Sequence, residues 1–104
     1  MADENLVLAR EESEGRYTAR LDGSVVGLID YTERPGTVVI NHTETDPAYQ
    51  GRGFAGRLTS YALDDIRQRG LTLVPVCPYT QRYLLDHPEY ADLLAQTDGP
   101  SARR

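Results

Sequence analysis

The chain reads as an α/β protein with a mixed sheet: an antiparallel strand meander, then strand, loop, helix, strand and helix. Three observations carry that reading. Residues 5–46 hold short runs of alternating apolar and polar residues between turn signals, which is strand patterning. From Gly53 the apolar period lengthens to that of a helix. A buried-strand run and a second short helical pattern follow, so a parallel strand joins the meander.

The elements come in order. Leu6-Val7-Leu8 is a short apolar run ended by the polar stretch Glu11–Gly15. Tyr17, Ala19 and Leu21 alternate with Thr18 and Arg20, and Asp22-Gly23 supplies the two-residue turn best suited to an antiparallel hairpin. Ser24–Tyr31 is rich in strand formers, and Arg34-Pro35-Gly36 turns the chain into a fourth strand, Thr37–Asp46. The pattern breaks at Pro47. Phe54, Leu58, Tyr61, Ala62 and Ile66 then recur at helical spacing, Asp65 and Arg69 sit four apart, and Gly70 is a C-terminal stop. Leu71–Val76 reads as a buried strand, parallel to Thr37–Asp46 through a right-handed crossover. Tyr79–Asp86 is a short helix begun after Pro78, Pro88–Leu94 a helical turn or two, and Thr97–Arg104 a frayed tail. We expect one domain over 1–104, with its core at about 5–94.

Composition narrows the function classes. At 104 residues, with 39% hydrophobic and 26% charged side chains, the chain fits a globular protein with one core. No apolar run approaches the roughly 20 residues of a membrane helix, and no signal peptide is legible at the N-terminus. One cysteine, Cys77, excludes an intrachain disulfide and a cysteine-based metal cluster, which suits a reducing cytoplasm. Net charge is −5, and every cation is Arg. That field repels nucleic acid and mildly attracts amines. We expect no nucleic-acid or membrane partner, and a monomer or weak dimer.

The most informative stretch is Gln50-Gly51-Arg52-Gly53-Phe54-Ala55, between a strand and the amphipathic helix. Two glycines allow a tight turn and a close backbone approach to a ligand. The unpaired N–H groups of the helix's first turn then face that ligand with the positive end of the dipole, an arrangement suited to phosphate. Arg52 and Arg57 add charge for the same anion. The alternative is that Gly51 and Gly53 only make a tight connection. Gly51, Gly53 and Gly56 also spell a dinucleotide fingerprint, but no acid closes the next strand, which ends Val76-Cys77-Pro78. That match is accidental.

With Gln50, Gly53 and Ala55 in its fixed positions, the same stretch resembles the coenzyme-A loop of the GNAT superfamily of N-acetyltransferases, Gln/Arg-x-x-Gly-x-Gly/Ala. The segments His42-Thr43-Glu44, Gly51–Ala55, Cys77-Pro78-Tyr79 and His87-Pro88-Glu89-Tyr90 together look like a compact, single-domain branch of that superfamily, over roughly residues 16–94. The resemblance implies acetyl-CoA as co-substrate, lying between strands that splay apart near Thr45 and Val76. It implies pyrophosphate on the N–H groups of residues 51–55, and pantetheine pairing like an extra strand with backbone near Thr43–Thr45. Larger members insert two helices between their first strands and append two strands. Here only Glu11–Gly15 stands in the first place and little follows Tyr90, so the acceptor half is minimal.

Acetyl transfer to an amine requires proton removal, since an alkylamine titrates near 10.4. Strand alternation puts His42, Glu44 and Asp46 on one face and Thr43 and Thr45 on the other. Glu44, directly or through water, is the first candidate base and His42 the second. Against this, an acidic strand end is often a solvated edge. A backbone N–H around Thr43–Thr45 would meet the oxyanion. The family often takes an acid from a Tyr on the helix after the last core strand, and Tyr79 and Tyr83 share one face there; core packing is the alternative. The family's usual Asn near that helix start is replaced here by Cys77. We expect Cys77 near the thioester end, acting by packing and shape, because no base or cation stands beside it in sequence to activate it as a nucleophile. His87 orders a turn, and no metal is expected.

The primary expectation is therefore an acetyl-CoA-dependent N-acetyltransferase acting on a small-molecule or exposed amine by direct attack in a ternary complex. The alternative is a coenzyme-A-binding module with little or no turnover, an adaptor or sensor.

Overall fold

Turn chemistry sets the meander. Asp22 and Gly23 both adopt positive φ (53° and 87°), the geometry that matches the twist of a two-residue hairpin. Gly36, at φ 77°, closes the next one. The computed structural model describes residues 5–94, and the expected tail at 97–104 lies outside them. Five strands form one sheet in sequence order: β1 (Leu6–Glu11), β2 (Arg16–Leu21), β3 (Ser24–Arg34), β4 (Thr37–Thr45) and β5 (Thr72–Pro75). Neighbours among the first four are antiparallel, and β5 joins β4 in parallel. Between them runs α1 (Phe54–Gln68), and α2 (Pro78–Asp86) follows β5. Short 3-10 turns at Pro47–Tyr49 and Pro88–Leu93 complete the chain's second half.

The core lies between one sheet face and α1. Tyr17, Ala19, Ile29, Val38 and Ile40 from the sheet meet Leu58, Ala62, Leu63 and Ile66, all fully buried. Gly27 in β3 lets the helix approach: a Cβ there would sit 3.8 Å from a Leu58 methyl and 3.4 Å from the Glu44 carbonyl. The helix stops as its residues predict. Gly70, at φ 70°, sends its N–H to the Arg67 carbonyl, and Leu71 sends its own to Ile66, a Schellman closure.

A bulge in β4 positions the site. Asp30 pairs with His42 but the next residue, Tyr31, pairs with Ile40, so Asn41 has no partner. One extra residue inverts the alternation. Val38 and Ile40 face the core before it; after it Thr43 and Thr45 take the same face, and His42 and Glu44 turn outward. The Asn41 amide anchors the bulge by donating to the Thr32 hydroxyl at 3.0 Å.

Candidate functional site

The parallel pairing of β4 and β5 ends early. Their ladder runs from Thr37–Thr72 to Ile40–Pro75 and no further. The N–H groups of Val76 and Cys77 both converge on the Ile40 carbonyl at 3.0 Å, and the chain turns off into α2 at Pro78. From Asn41 to Thr45, β4 therefore has β3 on one side and an opening on the other. Asp46 sends its N–H back to β3, to the Val26 carbonyl, at 2.8 Å. Alternation then directs the N–H and C=O groups of Thr45 and Thr43 into the opening. Gln50 sits there, its side-chain amide 3.4 Å from the Thr45 carbonyl.

The glycine loop closes one end of this opening. Asp46 caps the turn Pro47–Tyr49 by accepting from the Ala48 N–H, rather than standing with Glu44 as a free acid. Gly51 and Gly53 take φ of 83° and 80°, and a Cβ on either would meet no atom within 4 Å. They are glycines for their conformation, with open space in front of them. No side chain caps α1, and its first-turn N–H groups look out over the loop. Phe54 anchors the loop: it is buried, and its ring stacks on Tyr49 with centroids 5.9 Å apart. The Arg52 guanidinium lies over both rings, at 5.2 and 5.3 Å, which holds a cation beside the loop. The cleft so formed, about 440 Å³, is lined by Thr43, Thr45, Gln50, Gly51, Ala55 and Tyr79, among others.

A larger groove of about 780 Å³ continues from it between α1 and α2, sharing Gly53, Gly56 and Tyr79. Arg57, Arg82 and Tyr83 line it, with Asp64 and Asp86 farther along the two helices. Tyr79 and Tyr83 do share a face of α2, their rings 6.3 Å apart. That face meets Gly56 of α1. Burial raises the pKa of both phenols, the hydroxyls of Thr59 and Ser60 offsetting part of it. Tyr83 thus lines the groove, and Tyr79 lines both the groove and the cleft. His87 stacks on Tyr83 at 3.9 Å and bonds the Tyr83 carbonyl at 3.0 Å, ordering the end of α2 as expected of it.

On the outer face His42 and Glu44 are one unit: Nε2 and Oε2 lie 2.9 Å apart, with both side chains more than half exposed. Glu44 also lines a shallow recess of about 220 Å³ with Gly27, Leu28 and Pro47. Cys77 sits at the head of the opening. It is the residue before α2, 4% exposed, and its thiol donates to the Thr43 hydroxyl at 3.4 Å. Burial disfavours its thiolate. Even so, the Thr43 hydroxyl, the N–H groups of Thr80 and Tyr79 and the Thr80 hydroxyl outweigh burial and hold the thiol below its ordinary value. Thr43 across the opening and the start of α2 supply this together.

Comparison with known proteins agrees with this geometry. The GCN5-related N-acetyl-transferase family profile matches residues 16–93. The chain belongs to that family. It is 36% identical to Protein NATD1 of Gallus gallus over 76 residues, which cover 70% of this chain and 68% of that protein. It is 30% identical to Protein NATD1 of Danio rerio over 92 residues, covering 84% and 83%. A solution NMR structure of a GCN5-like protein from Staphylococcus aureus superimposes with TM-score 0.65 at 17% identity, covering 97% of this chain and 99% of that one, and shares the fold. A GNAT family acetyltransferase from Brucella melitensis, solved with acetyl-CoA, superimposes with TM-score 0.52 at 27% identity, covering 65% of this chain and 50% of its own. For a GCN5-related chain, the parted strands and the glycine loop lie where sequence placed them. Sequence missed three contributors: the Asn41 bulge, the turn of the Val76 and Cys77 N–H groups onto Ile40, and the Tyr49 ring.

Among the described residues no three His, Cys, Asp or Glu side chains are grouped to hold a metal ion. No helix there is long and apolar enough to cross a membrane.

Proposed function

We propose that this chain transfers an acetyl group from acetyl-CoA to a small or exposed amine, by direct attack within a ternary complex. The observation that carries the reading is the parting of β4 and β5 after Ile40–Pro75, directly over the glycine loop at the start of α1. The residues fit the coenzyme. The open edge at Thr43 and Thr45 offers backbone partners to the pantetheine amides, as an added strand would find them. Gly51 and Gly53 leave room for pyrophosphate before the N–H groups of residues 51–55, the loop and the first residues of α1, with Arg52 and Arg57 beside it. The groove between the helices, with Arg82 and Tyr83, suits the nucleotide end.

The amine approaches from the outer face. There Glu44 and His42 act as a coupled pair, Glu44 accepting the amine proton directly or through water and His42 orienting it. A backbone N–H at the open edge of β4 meets the charge that develops on the carbonyl oxygen. A second reading, a coenzyme-A-binding module with little turnover, draws on the bare acceptor side: β1 and β2 are joined by a single 3-10 turn, Glu12–Glu14. One experiment separates these. Calorimetry with coenzyme A should show binding, and thiol release from acetyl-CoA should rise when an amine panel is added. Binding without amine-dependent release would favour the module; no binding would remove both.

A further inference from the structure

Of the two tyrosines that sequence offers as proton donors, Tyr83 lines the groove, and Tyr79 lines both groove and cleft with its phenol near Gly56. A second set of donors stands where β4 and β5 part. Cys77 precedes α2, and its thiol donates to the Thr43 hydroxyl at 3.4 Å. Thr43 lines the cleft in turn. The third member is Thr80, fully buried at the third position of α2, whose hydroxyl has no hydrogen-bond partner. A buried orphan hydroxyl costs roughly 1–3 kcal/mol of lost solvation, and a thiolate at Cys77 would give this one the acceptor it lacks. An arrangement of donors around a sulfur is a place to hold negative charge.

We propose that Cys77 and Thr43 form a proton relay to the sulfur of the coenzyme. As the carbon–sulfur bond breaks, its electron pair stays on the coenzyme sulfur. The Thr43 hydroxyl passes its proton to that sulfur and takes the thiol proton of Cys77. The Cys77 thiolate left behind rests before the N–H groups of Tyr79 and Thr80 and the hydroxyl of Thr80. It regains a proton from solvent, which receives the one released by the attacking amine. No bond forms between Cys77 and the acetyl carbon. The match is chemical: two thiols of similar acidity, near 8.5 in their ordinary state, exchange a proton at little cost. The relay rests on the acetyl-transfer reading, and it gives Thr43 a role in chemistry beyond lining the cleft.

Because Cys77 is the only cysteine, ¹³Cβ-cysteine labelling yields a single NMR reporter of its ionisation. The titratable side chain beside it is Tyr79, whose phenol burial holds above its ordinary value, and Tyr79→Phe is the control that separates the two titrations. The resonance is followed from roughly pH 6 to 10 in three states: free, with coenzyme A, and with desulfo-coenzyme A. Two sulfurs sharing one proton cannot both ionise freely, so coenzyme A should raise the Cys77 midpoint by about one pH unit. The sulfur-free analogue should leave it in place. Thr43→Val should shrink the coenzyme-A effect, and Thr43→Ser, which keeps the hydroxyl, should retain it. In turnover, Thr43→Val and Cys77→Ala should each slow thiol release by about tenfold, and the double variant no further. Equal shifts from both ligands, or a stoichiometric acetyl adduct on Cys77 from acetyl-CoA alone, would overturn the relay. If neither ligand binds the wild-type protein, the acetyl-transfer reading falls with it.

Discussion

Gly53 tests the loop with a single side chain. Its φ of 80° charges any other residue about 1 kcal/mol of backbone strain, but an added Cβ would clash with nothing. Gly53→Glu should therefore fold, with a modest drop in Tm, and lose coenzyme-A affinity because a carboxylate would meet the phosphates at the proposed site. A folded variant with unchanged affinity in calorimetry would remove the loop from the binding site. Glu44 tests the chemistry. Glu44→Gln keeps the shape but cannot take a proton, so kcat should fall with coenzyme-A affinity retained, and the ionisation of the base should disappear from the pH–rate profile. Since His42 is hydrogen-bonded to it at 2.9 Å, His42→Ala combined with Glu44→Gln should cost less than the two losses summed. Wild-type rates in Glu44→Gln across the neutral range would exclude the role.

Strand β4 works as two half-strands joined at Asn41. Below the bulge its inward residues, Val38 and Ile40, build the core; above it Thr43 and Thr45 take their place on the same face and line the cleft. Strand β5 matches this by ending opposite Ile40, whose carbonyl takes the N–H groups of both Val76 and Cys77. Helix α1 holds the loop against this opening, and its Leu58 is fully buried over Gly27. Leu58→Ala should cost about 2–5 kcal/mol of stability, read by urea unfolding.

The two sheet faces are held by different physics. One is apolar and covered by α1. The other carries polar pairs across its strands: Glu11 with Thr18 and Arg20, Arg16 with Asp30, and Thr37 with Thr72. At the far end of α1 a charged cluster ties helix to sheet. Asp65 accepts from Tyr17 at 2.9 Å and from Arg69 at 3.0 Å, pairs with Arg10 at 3.3 Å, and Arg69 reaches Glu33 on β3. Burial is the chief reason that the Tyr17 phenol is pushed far above its ordinary value. A raised folded-state pKa gives stability that is full below the unfolded value, near 10, and is withdrawn as the pH climbs towards the folded one. Alkaline unfolding should therefore coincide with Tyr17 ionisation, seen as the phenolate absorbance that Tyr17→Phe lacks. Ionisation of Tyr17 well before unfolding would contradict this. Tyr17→Phe itself should cost about 1 kcal/mol, because Arg69 and Arg10 still hold Asp65.

Local chemistry was enough for the element order, since each element announces itself over a few residues. Asp22-Gly23 needs only its own dihedral preferences to turn, and Gly70 only its lack of a Cβ to end a helix. The glycine loop was legible for the same reason, and strand alternation correctly set His42 and Glu44 opposite Thr43 and Thr45. The rest depends on partners distant in sequence. Asn41 becomes a bulge because β3 pairs past it, and β5 ends where the N–H groups of Val76 and Cys77 meet on the Ile40 carbonyl. Asp46, set by alternation on the face of His42 and Glu44, becomes a cap when the chain bends at Pro47. Cys77 and Thr43 are 34 residues apart and meet only when β5 lies beside β4 and α2 starts where the two strands part. A residue's type sets which proton it can hold; what lowers the cost of giving that proton up is the donors that folding brings to it.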